Sequence, residues 1–371
     1  MRRFLILSLF VCISTLVQAQ IIERLPPARP LFNLPDTATI FIMGDVMMHA
    51  DQIANARKKD GTYSFSTYLA NMESRISEAD IAVANMEFTL GGKPYTGYPS
   101  FSAPDGYEDY VASTGVDVFL TANNHIYDKG RKGLLRTLER YSQMEADGLA
   151  KHTGCSVSEE DDGNRFPLIV VARGVRIALV NFTYGTNQES DEGFPKIHLI
   201  DKEEIARAVR KAKDAGADFV VALPHWGIEY RLIHSHDQEK LARWLADQGC
   251  DAVVGAHPHV VQDAAFIETG SRKVPVVYSL GNVVSNMSAE NTQVGLSVRL
   301  RIATDLTGER TMLPPEFCFT WCSRPGKLTD SYTVVPIKDF IGKREAWKDP
   351  ADYDNMVASY VRVKAKTGIK D

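Results

Sequence analysis

The sequence is poor in cysteine and has no excess of positive charge. It contains five cysteines in 371 residues, too few for a disulfide framework, so the fold must depend on a buried apolar core. The 42 Lys and Arg residues are outnumbered by 47 Asp and Glu residues, which gives a formal net charge of −5. This balance argues against nucleic acid as a partner and against a surface that captures polyanions by net charge alone.

The first residues have the pattern of a secretory signal. Arg2 and Arg3 are followed by an apolar run to Val17 and by the small residue Ala19, after which we predict cleavage. Retention of this segment as a membrane anchor is the alternative, although the run is short for a span. Export would place the protein in the periplasm or at the cell envelope. No later segment of the sequence is apolar over enough residues to span a bilayer.

We divide the sequence into four parts. Residues 1–19 form the signal segment, and residues 20–36 form a proline-rich, extended leader. Residues 37–339 form one domain in which strand-like and helix-like patterns alternate, which indicates an α/β fold. Residues 340–371 form a C-terminal tail with an amphipathic surface helix. Helical periodicity occurs in five segments of the domain, at residues 67–77, 106–114, 132–144, 202–215 and 237–248.

Five strand-like apolar runs end in residues that bind metals or transfer protons. In an open α/β sheet the carboxyl ends of parallel strands share one edge, so the residues that follow such strands can converge on one crevice. That convergence is typical of a metal-centred active site. The runs end at Asp45, at Glu87, at Asn124 and His125, at His225, and at His257 and His259.

The sequence His257-Pro258-His259 is the sharpest of these signals. Proline favours an extended conformation in the residue before it, and residues two apart in extended backbone project to the same face. We therefore expect the two imidazoles to point together, with a pair of capping histidines as the alternative. His225 follows another apolar run, where a lone histidine is more often a hydrogen-bonded loop residue than a ligand.

Asp45 and Glu87 place carboxylates at predicted strand ends, where burial is costly unless the charge is paired or bound to a cation. Helix N-capping is the alternative for each. Asn124 can offer a neutral oxygen to a metal, and the adjacent His125 is the candidate proton donor to a substrate. An ordinary strand-to-helix loop is the alternative here, and it explains the asparagine but not the histidine.

Six short motifs occur in order between residues 39 and 284. They are Gly44-Asp45-Val46-Met47-Met48-His49, Asn85-Met86-Glu87, Asn123-Asn124-His125-Ile126-Tyr127-Asp128-Lys129-Gly130, His225-Trp226-Gly227-Ile228-Glu229-Tyr230, Gly255-Ala256-His257-Pro258-His259-Val260-Val261-Gln262 and Tyr278-Ser279-Leu280-Gly281-Asn282. Together they resemble the CapA family of poly-γ-glutamate capsule proteins, which is similar to the calcineurin-like metallophosphoesterases. The resemblance covers most of the chain after the signal segment. It implies a four-layer α/β/β/α sandwich with a metal site at the strand ends.

The resemblance also implies a role for each matching residue. Two metals would share a bridging carboxylate and hold an attacking hydroxide, while a histidine acts as the acid that faces the substrate. Transferred residue by residue, the resemblance implies Asp45 and His259 as ligands of the first metal, Glu87 as the bridging carboxylate, Asn124, His225 and His257 as ligands of the second metal, and His125 as the acid.

The sequence departs from the metallophosphoesterase pattern at two of these positions. Met47 stands where that pattern has a histidine, and a thioether is a poor ligand for a hard divalent ion. Glu87 stands where the phosphoesterases have aspartate. The first site is thus one ligand short unless His49 or Glu229 substitutes, and Asp128 is a further supporting residue. We expect a divalent metal (Mn, Zn or Fe), as one tightly held ion rather than two.

Three functions are compatible with these patterns. The leading hypothesis is an exported, CapA-like protein for the synthesis, transfer or anchoring of an anionic polymer of the poly-γ-glutamate type, through a metal-assisted hydrolytic or transfer step. Its partners would be the polymer, or a small phosphorylated or amide substrate, and a membrane-bound capsule synthase complex. A general metal-dependent phosphoesterase and a non-catalytic polymer-binding or assembly subunit on the same fold are the alternatives.

Overall fold

A computed structural model describes residues 36–190 and 193–371. The expected signal segment, and the proline-rich leader up to residue 35, lie outside the described residues. Among the helices of the described part, none is both long enough and apolar enough to cross a membrane.

Strands and helices alternate along the described chain, as the sequence predicts. The strands are β1 (Asp36–Val46), β2 (Ile81–Met86), β3 (Val118–Leu120), β4 (Lys151–Thr153), β5 (Cys155–Ser156), β6 (Leu168–Ala172), β7 (Val175–Thr183), β8 (Lys196–Ile197), β9 (Phe219–His225), β10 (Ala252–Val254), β11 (Ala264–Thr269), β12 (Arg272–Val277), β13 (Asn282–Val284), β14 (Val294–Thr304), β15 (Arg310–Met312), β16 (Glu316–Ser323) and β17 (Thr333–Pro336). The helices are α1 (Ala50–Ala56), α2 (Glu73–Ser77), α3 (Tyr107–Ser113), α4 (Gly130–Ala146), α5 (Glu159–Arg165), α6 (Lys202–Asp214), α7 (His236–Gln248), α8 (Ile337–Phe340) and α9 (Pro350–Thr367), with a 3₁₀ turn at Arg344–Ala346.

Two large sheets make up the centre of the described fold. The first has the strand order β17-β16-β14-β1-β2-β3-β4, with β13 paired to β1 and β15 paired to β14. Its strands β1 to β4 are parallel, whereas β14 runs antiparallel to β1. The second has the order β11-β12-β10-β9-β7-β6, and β7, β9, β10 and β12 are parallel. A small pair, β5 and β8, lies apart from both sheets.

The two sheets pack face to face, and helices cover their outer faces. Alternate residues of a strand project to opposite faces of its sheet. Ile42 of β1 and Val221 of β9 accordingly share the core cluster between the sheets. Phe41 projects to the other side, into a cluster with Tyr107 of α3, and Val220 projects towards α6 and α7. This order of layers is the four-layer α/β/β/α sandwich that the sequence resemblance implies.

One predicted helix is much shorter than its apolar periodicity suggests. The segment 67–77 is helical only over Glu73–Ser77, and the chain before it consists of turns, such as the bond from the Met72 N–H to the Leu69 carbonyl. Tyr68 and Leu69 are nevertheless buried. Successive turns, like a helix, can bury residues that are three or four positions apart. The apolar periodicity of this segment therefore did not distinguish a run of turns from a helix.

The C-terminal helix α9 takes part in the core of the sandwich. Met356 and Val363 on one side of α9 are fully buried in the cluster between the sheets, whereas Val361 is 59% exposed. The side chain of Asp352 accepts hydrogen bonds from Trp321 and Ser323 of β16. The helix therefore covers the inner face of β14 and β16.

Candidate metal centre

Five strands from both sheets end at the candidate site. Strands β1, β2 and β3 belong to the first sheet, and β9 and β10 belong to the second. The sequence argument assumed one shared sheet edge, and the site is instead formed where the edges of two packed sheets meet. The structure brings together, and buries, all seven residues named as ligands or acid, which are Asp45, Glu87, Asn124, His125, His225, His257 and His259.

The end of β1 passes very close to the loop that contains Gly281. The Asp45 N–H donates to the Gly281 carbonyl over 3.0 Å. A Cβ atom on Gly44 would lie 2.0 Å from the same carbonyl oxygen, so no other residue fits at this position without a backbone shift. Gly281 itself has a φ of 64°, in the left-handed region that favours glycine. These two glycines fix Asp45 beside Asn282.

The two histidines of the His-Pro-His motif converge, but not through extended backbone. Their ring centroids lie 5.8 Å apart, while His257 has a φ of 102° and His259 a φ of 59°. The expectation of an extended segment was therefore wrong. Positive φ at a residue with a Cβ costs about 1–3 kcal/mol and persists only where surrounding contacts enforce it. Such strain is concentrated at functional sites in proteins.

The Asp45 side chain is held by groups from two other segments of the chain. Its Oδ1 accepts a hydrogen bond of 2.7 Å from Asn85 Nδ2, and its Oδ2 lies 3.4 Å from His259 Nδ1. Burial opposes the charged form of His259, but hydrogen bonding and charge from Asp45 outweigh it and raise the pKa of His259. His259 Nδ1 also lies 3.0 Å from Asn282 Oδ1, which orients the imidazole with its Nε2 towards Glu87.

Glu87 is the most unusual residue of the site. Its side chain is fully buried, and neither carboxylate oxygen has a hydrogen-bond partner among the described residues. Its Oε1 lies 3.6 Å from His225 Nε2 and 3.8 Å from His259 Nε2. Burial, reinforced by the neighbouring Asp45, raises the pKa of Glu87 well above its ordinary value. An unpartnered buried carboxylate is costly unless a cation compensates it.

Asn124 and His225 meet across the two sheets. Asn124 Oδ1 lies 2.8 Å from His225 Nε2, and the other ring nitrogen of His225 lies 3.3 Å from Asn85 Nδ2. His257 lies beside His225, with ring centroids 4.9 Å apart. Burial lowers the pKa of His225 well below its ordinary value and that of His257 to about 3. Both histidines are thus neutral, which is the form that binds metal ions.

These residues fit a divalent cation. Ligand atoms of Asp45, Glu87 and His225 lie within 4.8 Å of one another, and so do those of Glu87, His257 and His259. Glu87 belongs to both groups, as a bridging ligand would. His257 Nδ1, like the Glu87 oxygens, is buried without a partner among the described residues. A cation between these atoms would give a partner to both Glu87 oxygens and to His257 Nδ1.

His125 forms a buried pair with Asp128 beside this centre. The His125 Nδ1 lies 2.7 Å from Asp128 Oδ2, which also accepts a hydrogen bond of 2.7 Å from the Phe101 N–H. The Phe101 ring packs edge-on against His125 with centroids 4.6 Å apart. His125 belongs to neither of the two groups of close ligand atoms at this centre.

The proposed substitutes for the missing histidine, His49 and Glu229, have different surroundings. His49 Nδ1 lies 3.1 Å from Gln52 Oε1 and accepts from the Asn286 N–H, and burial lowers the pKa of His49 to about 4. Glu229 is exposed. Neither residue belongs to the ligand groups of the described chain. Met47 is buried in the apolar cluster beneath the helices.

Two tyrosines that the sequence did not single out line the opening of the site. Tyr184 lies over His257 with centroids 4.6 Å apart, and Tyr230 lies 6.4 Å from His259. They are 48% and 45% exposed, respectively. Burial and the nearby carboxylates Glu87 and Glu229 raise the pKa of Tyr184 to about 12. The opening is therefore aromatic and carries neutral phenols.

Three asparagines were not assigned as site residues from the sequence. Asn85 and Asn282 occur in the recognised motifs, Asn85 two residues before Glu87, and their place in those motifs was a usable signal. Asn187 contacts Asn124 and His125 from the loop after β7. It lies in none of the six motifs, and no sequence pattern indicated a role for it.

The two packed sheets between layers of helices form a fold of the metallophosphoesterase type. The structure of NAD nucleotidase (NadN) from Haemophilus influenzae superposes on 90% of this chain and 68% of that chain, with a TM-score of 0.50 and 11% identity. At this identity the likeness concerns the fold alone.

The chain belongs to the bacterial capsule synthesis protein family PGA_cap, whose sequence model matches residues 39–287. It is 27% identical to the capsule biosynthesis protein CapA of Bacillus anthracis over 327 residues, which cover 84% of this chain and 75% of that protein. It is 31% identical to the PGA biosynthesis protein CapA of Bacillus subtilis over 199 residues, which cover 53% of this chain and half of that protein's length.

Proposed function

We propose that this protein is exported and acts at the cell envelope. It takes part in the synthesis, transfer or anchoring of an anionic capsule polymer of the poly-γ-glutamate type. It does so through a metal-assisted hydrolytic or transfer step. Family membership supports the role in capsule synthesis. The observation that carries the metal-assisted step is the fully buried Glu87 carboxylate, which has no hydrogen-bond partner in the described structure and lies among three histidines.

The site offers two overlapping sets of ligands. By the family resemblance, Asp45, Glu87 and His259 would hold one ion, and Glu87, Asn124, His225 and His257 would hold the other. The two groups of close ligand atoms instead pair Asp45 with His225 and His257 with His259. The loss of histidine at Met47 favours the second set as the tighter site. A bound divalent ion activates water and neutralises charge that develops on a phosphoryl or carbonyl oxygen.

The chain's own residues supply the remaining steps. Asp128 accepts a hydrogen bond from His125 Nδ1, which leaves Nε2 as the atom that exchanges a proton with a substrate. A carboxylate in this position also stabilises the imidazolium form and holds the ring in one orientation. His125 can therefore deliver a proton to a leaving group. Phe101, packed against the ring, limits access of water to the pair.

Metal content tests this proposal most simply. The purified mature protein is loaded with Mn, Zn or Fe, and the bound metal per chain is measured by mass spectrometry. We expect at least one ion per chain in the wild type and a large loss in Glu87→Gln and His257→Ala. His236→Ala, which removes an exposed histidine at the start of α7, is the matched control and should keep its metal. A wild type without stoichiometric metal under every loading condition would exclude the metal-assisted step.

The cellular part of the proposal needs a separate measurement. Cells that lack the chromosomal copy are complemented with wild-type or His257→Ala protein, and surface polymer is quantified. Loss of polymer with the variant supports a metal-dependent role. Full polymer with both His257→Ala and His225→Ala would favour the alternative, a non-catalytic assembly subunit.

A general phosphoesterase is the second candidate, favoured by the His125 and Asp128 pair beside the ligands. A panel of phosphomonoesters and phosphodiesters, tested with added metal, separates it from the first. Turnover of several unrelated phosphoesters that is lost in His257→Ala would favour the second candidate.

A further inference from the structure

We propose that Asn187 is a positioning residue, which fixes the side-chain amide of Asn124 with its oxygen towards the metal centre. The inference rests on the proposed metal site. It concerns a residue that lies outside the recognised motifs, in the loop that follows β7.

The Asn187 side chain makes its polar contacts with residues more than 60 positions away. Asn187 Oδ1 accepts a hydrogen bond from Asn124 Nδ2 over 3.3 Å, and the Asn187 backbone N–H donates to the Asn124 carbonyl over 2.9 Å. The loop thus holds both the backbone and the side chain of Asn124. An asparagine whose side chain only contacts solvent would not make both of these hydrogen bonds.

The chemistry of an amide explains why this contact matters. The two ends of the Asn124 amide are nearly equal in size, so packing alone does not decide which end points to the centre. One end is a donor and the other an acceptor. Because Asn187 Oδ1 accepts only from Nδ2, it holds Nδ2 outward and leaves Oδ1 at 2.8 Å from His225 Nε2. Only the oxygen end of an amide can bind a divalent ion.

Asn187 also restrains His125. Its Nδ2 lies 3.1 Å from His125 Nδ1 and 3.5 Å from Nε2. Near-equal distances to both ring nitrogens place the amide over the face of the imidazole, since Nδ1 already points at Asp128. One side chain therefore fixes a candidate ligand and packs on the candidate acid. The neighbouring Gln188 side chain donates to the Asp128 carbonyl over 3.0 Å, so the loop is anchored on both sides of this pair.

The test measures metal affinity by competition with a chelator of known strength. Loss of a residue that orients a ligand typically costs about 10–100-fold in metal affinity, so we expect a loss in that range for Asn187→Ala. Asn187→Asp keeps an acceptor for Asn124 Nδ2 and should restore most of the affinity. Ser190→Asp adds the same charge to the loop at an exposed residue and should behave as wild type. Wild-type affinity in Asn187→Ala, or no recovery in Asn187→Asp, would overturn the inference.

A second measurement tests the role of Asn187 in the absence of metal. In the metal-free protein, the Asn124 side-chain NH₂ protons are followed by NMR. They should exchange with solvent more slowly in wild type and Asn187→Asp than in Asn187→Ala, and equal exchange in all three would overturn the inference. A wild type that binds no metal would contradict the proposed function, while this NMR readout would still decide the role of Asn187.

Discussion

His225 Nε2 lies 2.8 Å from Asn124 Oδ1, although the two residues are 101 positions apart and follow strands of different sheets. This contact joins the two sheets at their carboxyl ends. The geometry of the candidate centre therefore depends on how the sheets pack, and substitutions that shift either sheet should change metal binding without touching a ligand.

Gly44→Ala is such a substitution. The added Cβ would meet the Gly281 carbonyl oxygen at 2.0 Å, so the end of β1 must move, and overpacking of this kind typically costs about 1–3 kcal/mol. We expect lower stability in urea unfolding together with weaker metal binding. Gly163→Ala in α5, where a Cβ meets nothing within 4 Å, is the control and should be neutral or stabilising. Equal stability and equal metal binding in the two variants would contradict the close approach of Gly44 to the Gly281 carbonyl.

Met47→His restores the histidine of the metallophosphoesterase pattern, yet we predict that it does not restore a second ion. Met47 is 2% exposed and packs in the apolar cluster beneath the helices. Burying an imidazole there without a partner should destabilise the protein by about 1–3 kcal/mol. Met47→Leu, a swap of similar volume, should cost less than about 1.5 kcal/mol. A gain of one bound ion in Met47→His, counted by mass spectrometry, would show that this position faces the centre.

Asp128→Asn should separate catalysis from metal binding. The substitution replaces the carboxylate beside His125 Nδ1 with a neutral amide, whose NH₂ group can face Nδ1 and favour the wrong tautomer. General acid catalysis contributes about 10²–10⁴-fold to rate. We expect turnover to fall within that range while metal content stays at the wild-type level. The readouts are steady-state kinetics on whichever substrate the wild type turns over and metal per chain. Loss of metal would instead make Asp128 part of the ligand framework.

A cluster of charged side chains outside the candidate metal centre predicts a pH dependence of stability. His198 Nε2 lies 2.9 Å from Asp162 Oδ1, and His198 Nδ1 lies 3.0 Å from Glu204 Oε1, with Lys196 alongside. Burial acts to raise the pKa of each carboxyl, but hydrogen bonds and charge from His198 and Lys196 outweigh it and lower both pKa values.

A lowered folded-state pKa gives stability that is present above the unfolded pKa and is lost as pH falls through the folded value. The ordinary values are 3.8 for Asp162 and 4.5 for Glu204, so the loss should begin as pH falls below that range. Asp162→Asn should flatten the fall in urea stability between neutral and acid pH, whereas the exposed control Glu139→Gln should not. An unchanged pH profile in Asp162→Asn would contradict this account.

The alternation of strands and helices, and the strand ends at which the candidate residues converge, could be predicted from the sequence because both depend on local patterns. The apolar run before Asp45 and the one before His225 can each be recognised in a short stretch of sequence. The backbone of His257 and His259 was not predictable, since its positive φ values are imposed by contacts with other segments. Asn187 was missed because its role comes from two residues more than 60 positions away.

The most direct test of the central claim is anomalous diffraction from crystals of the protein grown with Mn, Zn or Fe, recorded at the absorption edge of the metal. The account predicts a strong peak within about 2.5 Å of a Glu87 oxygen and of nitrogens of His225 and His257. One fully occupied ion is the expected count. The absence of any anomalous peak among Asp45, Glu87, His225 and His257 would contradict the account.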